Sequence, residues 1–248
     1  DYVDIMRKIF RREAPVTHAG REISLPYAGP GASGLGKPLK SILHMNPNIP
    51  IVLATGKEST VRLTGEIADG WMPHGFMPGT MSEFQPWLEQ GFARAGAGKS
   101  LDGFGIHAMV PVVIDDDVQA ALDRQKPEIA LYVGGMGHRN QNFHAQQMAR
   151  RGFADDAGRI QELYLAGHKS EAAAAVPDEY VDMRSLAGPP ARIKARYQAW
   201  ADSGATSLIL VRPGGQTLAV RARVACLAYV GGERTASATR AQARRQAS

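Results

Sequence analysis

Short apolar runs rich in β-branched residues recur along this chain in alternation with stretches of helical periodicity, an order that few folds accommodate. The first run, Pro50-Ile-Val-Leu-Ala-Thr55, is broken by Gly56 and followed by a pattern that puts Val61, Thr64, Gly65 and Ala68 on one helix face. Residues 70–74 form the second, before a helix predicted from the face Phe84, Trp87, Leu88 and Phe92 and from the capping-box spacing Thr80-x-x-Glu83. Residues 106–114 form the third, and Asp115-Asp116-Asp117 then supplies negative charge suited to the start of a helix carrying Val118, Ala121 and Leu122. In the fourth the helix comes first: Pro189 and Pro190 suit a first turn, Ile193, Tyr197 and Trp200 share a face, Gly204 is the expected C-cap, and 206–211 is the strand. A last helix, with Leu218, Val220, Val224 and Leu227, is predicted over 217–229. Uninterrupted apolar runs suit strands buried on both faces, so the predicted class is α/β with a parallel sheet and right-handed crossovers.

The count of units narrows this further. A closed eight-unit barrel takes roughly 250 residues, whereas this chain of 248 residues shows four clear units plus insertions. It therefore holds either a small open sheet or about half of a barrel. The start favours the half-barrel: the chain opens on Asp1, and Tyr2, Met6, Ile9 and Phe10 already fall on one helix face, as though further chain preceded them. Residues 15–50 are rich in glycine and proline and are expected to be a loop insertion, with a short strand pair around 16–24. Residues 132–185 are expected to be a helical insertion, and 231–248 a basic disordered tail.

Charge and cysteine usage exclude several functions. The net charge of +5 owes much to Arg234, Arg240, Arg244 and Arg245 in the tail, and the aromatic residues fall on helix faces instead of a basic patch, so no nucleic-acid partner is expected. No run approaches the roughly 20 apolar residues of a membrane span. Cys226 is the only cysteine and falls in an apolar helical pattern; a buried packing role and a reducing, cytoplasmic location are expected. No Gly-x-Ser-x-Gly elbow is present, and His138 and His144 stand six apart with no acidic ligand at a helical offset, so neither a hydrolase nor a metal site is predicted.

In parallel α/β folds ligands sit at the carboxyl ends of strands. Thr55, Gly56, Lys57, Glu58 and Ser59 follow the first strand; glycine, hydroxyls, a lysine and free helix-start amides suit a phosphate, and equally an ordinary capped turn. His74 ends the second strand beside Phe76 and can exchange a proton near neutral pH or serve as a solvated loop residue. The segment Tyr132-Val-Gly-Gly-Met-Gly-His138 leads to Arg139, a candidate anion contact on a loop rim.

The segments Pro50-Ile-Val-Leu-Ala-Thr-Gly-Lys-Glu-Ser59, Gly65-Glu-Ile-Ala-Asp-Gly-Trp-Met-Pro-His74, Tyr132-Val-Gly-Gly-Met-Gly137 and Gly188-Pro-Pro-Ala-Arg-Ile193 together resemble the luciferase-like monooxygenase family, most closely its coenzyme F-420-dependent branch. The resemblance covers residues 1–230 and implies a (β/α)8 TIM barrel of which only about the C-terminal half is present, residues 51–55 resembling the fifth strand and 208–211 the eighth. It implies an oxidoreductase that moves hydride between the deazaflavin F-420 and a small organic substrate. It leaves two alternatives: an FMN-dependent monooxygenase served by a separate flavin reductase, or a non-catalytic half-barrel remnant acting as a scaffold. On this resemblance residues 55–59 hold the cofactor phosphate, with Lys57 in place of the family's common proline, and His74 and Phe76 face the substrate, which Arg139, read from its own loop, is expected to contact as well. Catalytic groups on the family's early strands have no counterpart here, which leaves His74 the one catalytic candidate. A half-barrel would leave strand edges uncovered, and a homodimer is one way to cover them.

Overall fold

The computed structural model describes residues 1–138 and 140–211. These divide into two compact units, one of Asp1–Met72 and Phe84–Gly105, the other of Pro73–Glu83 and the chain from Ile106. Arg139, the helix predicted over 217–229 with Cys226, and the basic tail lie outside the described residues.

The first unit opens with α1 (Tyr2–Arg11), whose buried residue is Ile5; Tyr2, predicted to share the inward face, is exposed. The glycine- and proline-rich stretch carries the antiparallel pair β1 (His18–Ala19) and β2 (Ser24–Leu25) and a bridge from Val16 to Leu39. Then come β3 (Val52–Thr55), α2 (Glu58–Ile67) and β4 (Gly70–Pro73), with β3 and β4 hydrogen-bonded neighbours. The helix α3 (Met81–Ala95) begins in the second unit and runs into the first.

Two glycines set the α2–α3 approach. A Cβ on Gly91 would lie 2.1 Å from the Arg62 carbonyl oxygen, and one on Gly65 would lie 2.6 Å from that of Leu88. Neither backbone oxygen can yield cheaply, so glycine at both positions is what lets the helices touch. Behind them the rings of Trp71 and Phe84 lie 5.0 Å apart, as do those of Phe92 and Phe104. Side chains close the remaining polar ends. Asp69 Oδ2 accepts from the Ile51 amide at 2.8 Å and from Arg7 Nη2 at 3.0 Å, joining the start of β3 to α1. Lys99 Nζ donates to the carbonyls of Ala68 at 2.6 Å and Glu66 at 3.2 Å, capping the end of α2.

The second unit is built on β5 (Gly105–Ile114), as the apolar run at 106–114 predicts. Its middle, His107–Pro111, pairs in parallel with β7 (Ser207–Val211), and its end, Val112–Ile114, pairs in parallel with β6 (Leu186–Gly188). Three residues are too few to show periodicity, and β6 was not foreseen. After β5 come α4 (Val118–Asp123), α5 (Lys126–Ala130), a π-helical turn at Leu131–Gly135, α6 (Phe143–Arg150), α7 (Ala154–Leu165), α8 (Lys169–Ala174) and α9 (Asp178–Met183), then β6 and α10 (Pro190–Ala201). Asp117 caps α4, its side chain accepting from the amides of Gln119 and Ala120. The helical insertion packs Val133, Met148, Ile160, Ala172 and Val181 into one core with Val113 of β5, Ala121 and Leu122 of α4 and Ala187 of β6. Asp202, two residues before the predicted Gly204, is the C-cap of α10; Gly204 takes φ +89° in the turn that follows.

Strand, helix and parallel pairing thus agree with the α/β class. Among the described residues the strand pairings form no closed ring, as a partial barrel requires. No helix among these residues is long and apolar enough to cross a membrane.

Candidate functional site

The second unit contains a cavity of about 180 Å³ at the carboxyl end of β4 and beside β5 and β7. Its apolar wall includes Phe76, Met77, Met109, Pro111, Val133 and Val211; its polar wall is His74, Glu128, Tyr132, His144, Gln147, Arg151, Tyr180 and Arg184. The predicted residues His74 and Phe76 are thus brought together.

The loop after β4 is held from a distance. Gln147, buried on α6, donates from Nε2 to the His74 carbonyl at 2.9 Å, and Arg151 donates from Nη2 to the Gly75 carbonyl. Gly75 has φ +70°, and a Cβ there would fall 2.0 Å from Gln147 Oε1, so glycine serves both the turn and the approach of α6. Thr80 ends the loop. Its hydroxyl accepts from the Met77 amide and donates to the Met77 carbonyl, which replaces the predicted capping-box bond with a tight local turn.

The π-helical turn places Tyr132 on the cavity. Such a turn leaves carbonyls without α-helical partners. Asn142 supplies donors: Nδ2 bonds the carbonyls of Tyr132 at 3.0 Å and Val133 at 2.7 Å, while Oδ1 accepts from the amides of His144 and Ala145 to cap α6. Gly134 and Gly135 give room to Tyr164, which a Cβ on either would meet at 2.3 Å or 2.6 Å.

Four rings converge here. His74 Nε2 and His144 Nδ1 are 3.2 Å apart, with one ring donating according to tautomer. His144 meets Tyr132 with centroids 4.8 Å apart, and His74 meets Phe143 at 5.4 Å. Burial, then the charges of Arg184 and Arg151, lowers the pKa of His74. Burial, then the neighbouring His74 and Arg184, lowers that of His144 to about 4. Both rings are therefore neutral at pH 7. Burial also lowers Arg151, against the opposing influence of Tyr180 and Glu83. The Arg184 guanidinium lies 5.9 Å from the Tyr180 ring centroid.

Residues 55–59 belong to the first unit and end β3. Among the described residues no side chain caps α2, and the first backbone bond at its start is Val61 N–H to the Lys57 carbonyl. The amides of Glu58, Ser59 and Thr60 thus lack a helical acceptor and suit an anion. Thr64 donates its hydroxyl proton to the Thr60 carbonyl, so at 2.9 Å Thr55 donates to Thr64. The Thr55 hydroxyl proton consequently points inward, leaving the amides and Ser59 as the donors. The Thr55 carbonyl accepts from Trp71 Nε1 at 3.0 Å, which ties the buried indole to this turn. Glu58 pairs with Arg62 one turn on.

Sequence reasoning did not single out Arg151, Tyr180, Arg184 or Gln147. One signal was present: His144, Gln147 and Arg151 stand at i, i+3 and i+7, a polar stripe on a single helix face. Among the described residues no three His, Cys, Asp or Glu side chains group as metal ligands.

Comparisons with known proteins converge on one family. A family model described as luciferase-like monooxygenase matches residues 1–207. A protein of Mycobacterium tuberculosis named as a coenzyme F-420-dependent oxidoreductase is 40% identical over 211 residues, which are 85% of this chain and 61% of that protein. The 5,10-methylenetetrahydromethanopterin reductase of Archaeoglobus fulgidus is 24% identical over 68% of this chain and 49% of its own length. Among solved structures, the F-420-dependent tetrahydromethanopterin reductase of Methanopyrus kandleri aligns with a TM-score of 0.65 at 20% identity, covering 85% of this chain and 55% of that one. The chain thus spans about half to three-fifths of the length of these relatives.

Proposed function

This chain belongs to the luciferase-like monooxygenase family, and from that membership we propose that it forms part of an oxidoreductase that uses coenzyme F-420 to transfer hydride to or from a small organic substrate. The observation that carries this reading is the 40% identity, over 85% of the chain, to a relative named for that coenzyme. The same relative favours F-420 over FMN.

The residues present fit the group. The uncapped start of α2 offers Glu58, Ser59 and Thr60 amides and the Ser59 hydroxyl to the coenzyme phosphate, and Lys57 adds a positive charge. The deazaflavin, when bound, supplies the hydride chemistry. The chain supplies position and protons. The apolar wall of Phe76, Met77, Met109, Pro111 and Val211 excludes water from a small substrate in the second unit's cavity. His74 and His144, neutral at pH 7 and bonded through one ring nitrogen each, retain a second nitrogen each with which to hold or move a proton on that substrate.

The test is titration of the protein with F-420 and, separately, with FMN, followed by quenching of tryptophan fluorescence. Trp71 is bonded to the Thr55 carbonyl and should report occupancy of the turn. Saturable quenching by F-420, weakened about tenfold by Ser59→Ala through loss of a charge-assisted hydrogen bond, is the expected result. Preference for FMN would replace the reading with an oxygenase one.

A further inference from the structure

Two guanidinium groups line the second unit's cavity with no ion-pair partner among the described residues. Arg151 and Arg184 are the C-cap residues of α6 and α9, and both line the cavity with Tyr180 between them in the same wall. The ion pairs of this unit's described residues engage Arg124, Lys126, His168, Arg192 and Arg196, and neither Arg151 nor Arg184 is among them. Arg151 donates from Nη2 to the Gly75 carbonyl and is hydrogen-bonded to the Tyr180 hydroxyl, while its buried Nε has no partner among the described residues. Glu128 also lines the cavity, in no ion pair among the described residues, and the charge of Glu83 partly offsets the burial of Arg151. Two cations at the edge of an apolar chamber, with neutral imidazoles beside them, make a site whose missing component is a negative charge.

We propose that this cavity is a subsite for a carboxylate borne on an apolar body, the carboxylate held by Arg184 over the Tyr180 ring and within the field of Arg151, the body lying against Phe76, Met77, Met109 and Val211. The planar fork of arginine matches the two oxygens of a carboxylate, and its weak hydration favours pairing beside an aromatic face. Arg151 is committed to the loop backbone, so it supplies field, whereas Arg184 supplies the bonds. The inference rests on the proposed oxidoreductase reading only in taking the occupant for the substrate. A carboxylate could also come from the coenzyme, and the experiment separates the two sources.

The full chain is titrated calorimetrically with benzoate and with benzamide, a pair of like shape that differ in charge, and F-420 binding is followed separately by tryptophan quenching. Benzoate is expected to bind at least about tenfold more tightly than benzamide, the scale of a charge-assisted contact. Arg184→Met should abolish that preference and Arg184→Lys retain part of it, with unchanged far-ultraviolet circular dichroism in both. Equal affinity for the two probes, or a ratio unmoved by Arg184→Met, overturns the subsite, as does F-420 binding with neither probe bound. If F-420 displaces benzoate and Arg184→Met weakens F-420 to the same extent, the anion belongs to the coenzyme and a substrate subsite is wrong. Should the benzoate preference stand while F-420 fails to bind, the subsite survives and the coenzyme reading falls.

Discussion

The turn after β3 and the loop after β4 occupy equivalent points in consecutive strand–helix units, but the forces that shape them differ in range. At residues 55–59 the bonds all reach sixteen residues or fewer along the chain: Thr55 to Thr64, Thr60 to Lys57, Glu58 to Arg62, and Trp71 to the Thr55 carbonyl. At residues 73–80 the path depends on Gln147 and Arg151, more than seventy positions downstream. A local turn forms with its helix and can expose its amides to a ligand. A loop tied to an insertion takes shape only once that insertion has folded, and it can then enclose a cavity with side chains from both.

Substitution tests that contrast most directly. Gly75→Ala places a Cβ at a left-handed backbone conformation and against Gln147. Strain of about 1–2 kcal/mol plus a lost buried hydrogen bond gives an expected loss of about 2–3 kcal/mol by urea unfolding. A loss below about 0.5 kcal/mol would mean that the loop does not depend on α6. Next in size is Asn142→Asp, which keeps the cap of α6 and removes both donors to the π-helical carbonyls; about 1–2 kcal/mol is expected. Asn142→Ala should cost about 1 kcal/mol more, since the cap goes too.

Acidity provides a third test. His144 has a folded-state pKa near 4 against an ordinary 6.5, so below pH 6.5 the unfolded chain binds the proton more readily. Stability conferred by the neutral ring is complete above pH 6.5 and declines as pH falls towards 4. The ring is only half-buried, and after screening by solvent the decline is about 1 kcal/mol. Replacing it in His144→Gln should flatten that part of the pH profile. The smallest effect falls on the turn: Glu58→Gln breaks an exposed pair with Arg62 and should cost under about 0.5 kcal/mol. The same change removes a negative charge beside the proposed phosphate position, so F-420 should bind a few-fold more tightly in the fluorescence titration.

The range of the bonds also explains what could be read in advance. Residues 51–55, 70–74, 106–114 and 206–211 announced their strands because apolar runs and helical faces are local patterns, and the acidic run 115–117 announced the start of α4 for the same reason. His74 and Phe76 were legible as strand-end residues. Arg151, Tyr180 and Arg184 were not, because only the packing of α6 and α9 brings them to that strand end. The conformational role of Asn142 was hidden too, since nothing in a single sequence marks where a helix will carry an extra residue per turn.

Gln147 and Arg151 grip main-chain carbonyls, not the side chains of the residues they hold. A carbonyl is the same acceptor whatever residue bears it, so these two bonds survive a change at position 74, and only the ring contacts of His74 with Phe143 and His144 are lost. A lineage built on this frame can exchange His74 in one step and present new chemistry to the chamber while the chain path stays where it is. Architecture and specificity are, at this point of the molecule, inherited separately.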